Sequence, residues 1–153
     1  GCGYLEYRFP NHFLKGVKEK YMEISAEICS EDHEYNMEYP SDITLWVNGI
    51  EAGTFTAPSD FGGRRGKLNP NWWPDKNTQY GLLKTWKLTT TGTFIDDTWK
   101  NNHTIEDYQL YSNAYITVRI GVKEDAVHRG GMNLFGECFG DYRQNIIMKI
   151  IYE

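Results

Sequence analysis

Residues 42–56, DITLWVNGIEAGTFT, decide the fold. Ile43, Leu45 and Val47 alternate with polar neighbours, which is the period of a half-buried strand. Asn48-Gly49 follows, and a second strand-like run begins at once. Asn-Gly between two such runs is the strongest short signal for a β-hairpin, because a type I′ turn needs positive φ at both central residues.

The same period of two runs outward in both directions. Residues 21–30, YMEISAEICS, set Met22, Ile24, Ala26 and Ile28 on one face and Tyr21, Glu23, Ser25 and Glu27 on the other. Residues 115–122, YITVRIGV, bury Ile116, Val118, Ile120 and Val122 against Thr117 and Arg119. YLEYRFP at 4–10 alternates Leu5, Tyr7 and Phe9 with Glu6 and Arg8, and NIIMKIIYE closes the chain as a mostly apolar strand. KTWKLTTTGTFI (84–95) and HTIEDYQL (103–110) are weaker strand candidates. HFLKGVKEK (12–20) offers at most one helical turn, interrupted by Gly16. Short strands with Gly-rich connections and no capped helical period predict an all-β antiparallel β-sandwich of jelly-roll type.

The 153 residues suit a single domain spanning 1–153. A formal charge of −5 opposes a grip on nucleic acid by this chain alone. Cys2, Cys29 and Cys138 form an odd, sparse set that fits a reduced, cytoplasmic protein. No apolar run nears the roughly 18 residues that span a bilayer, so no membrane partner is expected. The chain begins at Gly1, which suggests a fragment with a segment missing upstream.

Two long irregular stretches, 57–83 and 123–144, exceed the usual connection length and are where chemistry is expected. The first contains DFGGRRGKLNPNWWPDKNTQYG (60–81). Trp72 and Trp73 offer flat apolar faces with an N–H donor at the edge. Arg64 and Arg65 carry planar donor forks. A sugar ring has complementary needs, C–H groups for an aromatic platform and hydroxyls for planar polar groups. The expected site therefore takes Trp72 and Trp73 as platform, Tyr80 and Trp86 as walls, and Arg64, Arg65, Asp60 and Asn69 as hydrogen-bonding groups. Lys123, Asp125, His128 and Asn133 of the second stretch would close it. The competing reading is a packed loop, with Arg64 and Arg65 paired to Asp60 or Asp75. Phe135 and Phe139 read as core plugs.

Other chemistries fit less well. GGRRG lacks the following helix and the Lys-Ser/Thr of a phosphate loop. His12, His33, His103 and His128 lack ligand spacing, and the acidic stretch 30–40 matches no calcium loop, so neither metal nor cofactor is expected. Glu23 and Glu27 share a strand face, with Arg119 weighed as a third group, and could flank a glycosidic bond. Such pairs are common on solvated faces, and nucleophile signatures are absent; no catalytic residue is assigned.

YPSDITLWVNGIEAGTFTAPSDFGGRRGKLNPNWWPDKNTQYGLLKTW (39–86) and IGVKEDAVHRGGMNLFGECFGDYRQNI (120–146) resemble the C-terminal domain of bacterial ArsR-type winged-helix transcriptional regulators. That resemblance implies a β-sandwich akin to carbohydrate-binding modules. The sandwich would sense a small-molecule effector, and DNA would be read only by an N-terminal domain missing from this chain. The Cys-Val-Cys type metal-sensing motif of better-known members is absent. The expectation is a non-catalytic sensing domain for a small polar ligand such as a saccharide. The second reading is a structural module that forms a homodimer through the Trp-rich loop; a small glycan-active enzyme is the third.

Overall fold

The structure, a computed structural model, describes residues 1–14 and 16–153. Ten strands follow in chain order among the described residues: β1 Gly3–Pro10, β2 Glu19–Cys29, β3 Ser41–Val47, β4 Ile50–Ala57, β5 Leu82–Thr89, β6 Thr93–Ile95, β7 Thr98–Asn101, β8 Tyr115–Val122, β9 Asn133–Leu134 and β10 Ile147–Tyr152. At the β3–β4 connection Asn48 and Gly49 take φ of 49° and 81°, and Val47 pairs with Ile50. This is the turn the sequence predicts. The Asn48 side chain does more than turn the chain. It accepts the Thr117 amide at 3.0 Å and donates to the Tyr108 carbonyl at 2.9 Å, which fastens the hairpin to the next strand of its sheet.

The strands form two antiparallel sheets. One runs β1-β8-β3-β4; the other runs β10-β2-β5-β6-β7, with β9 added beside the end of β2. Their inner faces make one continuous core. Met22, Ile24, Ala26, Ile28, Trp86, Leu88 and Ile95 come from the second sheet; Ile43, Leu45, Val47, Phe55, Ile116, Val118, Ile120 and Val122 come from the first. Each large apolar side chain buried in this way contributes about 1.5–3 kcal/mol. Phe55 and Trp86 meet edge-on across the sandwich at 5.7 Å, and the Trp86 indole donates to the Gly53 carbonyl at 3.1 Å. The alternation read from residues 21–28, 43–47 and 116–122 is therefore the inside-outside pattern of the sandwich.

Two local expectations change, and a third lies partly outside the described residues. HTIEDYQL is not a strand: Ile105–Tyr108 form a short 3-10 helix. The Asp107 carboxylate accepts the Thr104 amide at 2.8 Å while the Asp107 amide donates to the Thr104 carbonyl. That local closure outcompetes an extended backbone. In β1 only Tyr7 and Phe9 gain partial cover, and Leu5 stays 47% exposed, since β1 is an edge strand with one neighbour. The helical turn weighed over 12–20 includes Lys15, which lies outside the described residues; Glu19 and Lys20 already belong to β2. No helix among the described residues is long and apolar enough to cross a membrane.

Candidate functional site

The stretch between β4 and β5 leaves the sandwich and returns as a closed excursion. Phe61 and Tyr80 bridge through their backbones and stack their rings at 5.0 Å, so the neck of the loop is pinned. Inside it, Gln79 is buried and acts as a hub. Its amide nitrogen donates to the Pro74 carbonyl at 2.9 Å and the Asn77 carbonyl at 3.0 Å, and its oxygen accepts from Asn69 at 2.9 Å. A Cβ on Gly66 would stand 2.0 Å from the Gln79 carbonyl oxygen, so only glycine allows this approach. Nothing periodic marks Gln79 in the sequence.

The arginines hold the loop together. Arg65 donates to the carbonyls of Pro70 at 2.6 Å and Trp73 at 2.8 Å, and pairs with Asp75 at 2.7 Å. Arg64 lies over the Tyr80 ring, 3.6 Å from its centroid, and grips Asp141 with both terminal nitrogens at 3.0 and 2.6 Å. The guanidinium holds the Asp141 carboxyl below the usual carboxylate range. Asp141 belongs to the second irregular stretch, so the two stretches are laced to each other. The Leu68 amide donates to the Gly140 carbonyl at 2.8 Å, and the Gly140 amide donates to Asn69 Oδ1 at 2.7 Å.

Glu27 anchors the second stretch to the sheet. It sits on the outer face of β2 yet is fully buried, because residues 140–142 fold over it. Its carboxylate accepts the amides of Gly81 at 2.8 Å, Asp141 at 2.9 Å and Tyr142 at 2.9 Å. Gly140 adopts φ of 81°, and a Cβ there would meet a Glu27 oxygen at 2.5 Å. Sequence reasoning placed Glu27 on an open face beside Glu23. The structure removes it from that role, and it places Arg119 in the other sheet, paired with Glu6 at 3.1 Å.

On this scaffold stands an aromatic cluster. Trp73 contacts Phe139 edge-on at 5.0 Å, and Trp72 contacts Trp73 at 5.9 Å and Phe139 at 6.0 Å. Trp73 is half-buried and its indole N–H donates to the Thr78 carbonyl at 2.8 Å; Trp72 is 71% exposed. Phe139, expected as a core plug, lies outside the core because its neighbours Gly140 and Asp141 are held at the surface of the sheet by Glu27. Phe135 is likewise only half-buried.

Thus Arg64, Arg65, Asn69, Trp72, Trp73 and Tyr80 come together, and most of their polar atoms already have protein partners. The other expected residues do not join them. Trp86 is a core residue. Asp60 is fully buried: its backbone pairs with Asn36, one carboxylate oxygen accepts the Asp32 amide at 2.8 Å and the other has no partner. Burial pushes its carboxyl above the usual range. Lys123 pairs with Glu51, and His128 Nδ1 with Asp42 at 3.2 Å, both in the β3–β4 hairpin. Asp125 is exposed in the same segment. Asn133 donates to the Ser30 carbonyl at 3.0 Å and, in the first stretch, to Thr78 Oγ1 at 3.2 Å.

The Cys29 thiol is buried, bonded to the Ser30 carbonyl, and pushed up to about 12 by burial. Asp32, in the acidic stretch, accepts from the His33 amide and the Asn36 side chain. Among the described residues no group of three His, Cys, Asp or Glu side chains is placed to hold a metal ion.

The fold and site together define an antiparallel β-sandwich that carries a loop-borne aromatic cluster on a rigid polar frame. No protein-family model, curated protein or solved structure matches the chain.

Proposed function

We propose that this chain is a non-catalytic ligand-binding domain whose contact surface is the Trp72–Trp73–Phe139 cluster, with a saccharide as the ligand class. One observation carries the reading: Trp72 is 71% exposed on a frame whose Glu27, Asn69 and Gln79 side chains already have protein partners. Trp72 is part of a contiguous aromatic patch with Trp73 and Phe139, and contiguous exposed apolar patches mark interaction surfaces. A rigid frame also reduces the ordering lost on binding. The arginines are frame members here, so hydroxyl contacts fall to the loop's outer polar groups, the exposed Lys67, Asn71 and Asp75. Stacking contributes about 0.5–1.5 kcal/mol per ring and each net hydrogen bond about 1 kcal/mol. That sum corresponds to a micromolar to millimolar Kd.

In a regulator of the ArsR type that the sequence resembles, such a domain would be the effector sensor. It would act by binding one state of the intact protein better than another. Titration of the chain with mono- and oligosaccharides, followed by tryptophan fluorescence and calorimetry, tests the reading. A saccharide that binds the wild type and not Trp72→Ala supports it; equal binding by both removes the cluster from the site.

A second reading has its own observation. With both arginines neutralised by Asp141 and Asp75, the cluster is apolar and only weakly charged, which suits an anchor in a homodimer interface. Sedimentation equilibrium distinguishes it: association that Trp72→Ala abolishes, without any effect of saccharide, favours the interface.

A further inference from the structure

The 140–144 segment covers only part of the outer face of the second sheet. It buries Glu27, and the Gln144 side chain reaches Ser25 at 3.2 Å. One strand step further, at Glu23, the cover ends. There a cleft of about 330 Å³ opens, lined by Glu23, Thr85, Lys87, Asp96 and Asp97. The register extends this opening into a row across the sheet. Lys149 pairs with Glu23, Glu23 with Lys87, Lys87 with Phe94 and Phe94 with Trp99, so these five side chains share one face across β10, β2, β5, β6 and β7. Four strand spacings make the row ~19 Å long.

The chemistry of the row is specific. Its far end is aromatic, with Phe94 half-buried and Trp99 56% exposed. The cleft beside the row, bounded by the Asp96–Asp97 turn between β6 and β7, carries both charge signs. Asp96 pairs with Lys84 at 2.9 Å, and Lys87 rests over the Tyr21 ring at 4.1 Å. Among the described residues neither Glu23 nor Asp97 has an ion-pair partner. A cationic ligand would meet Lys87 and Lys149, and an anionic one would meet Glu23 and Asp97. A neutral polyol meets no such repulsion, since its hydroxyls donate to carboxylates and accept from ammonium groups while its C–H faces stack on indole.

We propose that this row is a second binding surface, separate from the Trp72 cluster, and that it takes a linear, extended oligosaccharide laid across the strands. One side chain per strand, each directly opposite the next, favours an extended chain over a coiled one. Its length selects several sugar units over a single ring. The assignment stands whether or not the Trp72 cluster binds anything.

Calorimetric titration with cellotetraose, xylotetraose and chitotetraose, with maltotetraose as the coiled comparison, tests it on the chain as it is. At least one extended tetrasaccharide should bind, more tightly than its disaccharide and more tightly than maltotetraose. Trp99→Ala should weaken that binding by about tenfold through lost stacking. Glu23→Gln, which keeps the shape of the face, should weaken it as well, both measured in a Trp72→Ala background so that the loop cluster contributes nothing, and Val127→Ala, at an exposed residue outside both surfaces, should leave it unchanged. The proposal is overturned if no extended probe binds in the Trp72→Ala background, if affinity is indifferent to chain length, or if Trp99→Ala leaves binding unchanged there.

Discussion

The carboxylate of Glu27, on β2, accepts the amide of Tyr142 at 2.9 Å, across 115 residues of chain. The same carboxylate takes the amides of Gly81 and Asp141, so one buried side chain positions the start of β5 and the loop that carries Phe139. The frame beneath the aromatic cluster depends on it.

Glu27→Ala should therefore be severe. Three amides, that of Gly81 buried and those of Asp141 and Tyr142 part-buried, lose their acceptor at about 1–2 kcal/mol each, for a total of about 3–6 kcal/mol. Urea unfolding should report that loss, and Tm should fall by roughly 10–20 °C. Glu27→Gln keeps one acceptor oxygen and should lose about half as much. In both variants hydrogen exchange at Asp141 and Tyr142 should accelerate before the core strands respond. Unchanged protection there would mean the loop is held by something else.

Acid should loosen the lacing between the two loops. The folded-state pKa of Asp141 is lowered by its hydrogen bonds with Arg64. A depressed carboxylate contributes stability that is present above its unfolded pKa, near 4, and that is lost as pH falls through the folded value. Arg64 is half-exposed, so the contribution is modest. In Arg64→Ala this acid-dependent loss should shrink, because Asp141 then titrates nearer its unfolded value. Denaturant midpoints measured from pH 7 down to pH 2.5 on both proteins check it.

Asp60 should behave in the opposite sense. Its folded-state pKa is raised, chiefly by burial, and one of its oxygens has no partner. Charge at this site weakens the fold at neutral pH, and protonation relieves it as pH falls. Asp60→Asn, whose oxygen can still accept the Asp32 amide, should be as stable as the wild type or more so at pH 7. That advantage should disappear as pH drops toward 4. A variant clearly less stable at pH 7 would contradict the burial argument.

The two tryptophans expected to act together should separate cleanly. Trp86→Ala opens the centre of the core and should cost about 3–5 kcal/mol. Trp72→Ala removes a side chain that is mostly in water and should change stability by no more than about 0.5 kcal/mol. Thermal unfolding of the two variants side by side decides it.

Much of the architecture was legible in advance. The Asn48-Gly49 turn, the inner faces of β2, β3 and β8 and the antiparallel sandwich are written in a period of two and in backbone sterics. Both act over a few residues and leave a mark in the chain order. The 3-10 helix at Ile105–Tyr108 was misread because a Thr104–Asp107 closure carries no apolar period to announce it.

The site was legible only as composition. Residues 60–81 announced tryptophans and arginines, and two such loops do meet. Whether a given arginine faces a ligand or a neighbouring carbonyl depends on where Asp141, Pro70 and Trp73 stand in space. Gln79 and Glu27, which organise the frame, looked like ordinary polar residues.

The chain order alone determined which residues become strands and which way their side chains face, because alternation and turn geometry are local. Only the tertiary structure decided that Glu27 is fully buried and Glu23 only half-buried, that Arg64 and Arg65 brace the loop, and that Trp72 is exposed while Trp86 is not. Those outcomes rest on contacts between residues up to 115 positions apart. Their free energy comes from desolvation and hydrogen bonding in three dimensions, which no local pattern encodes.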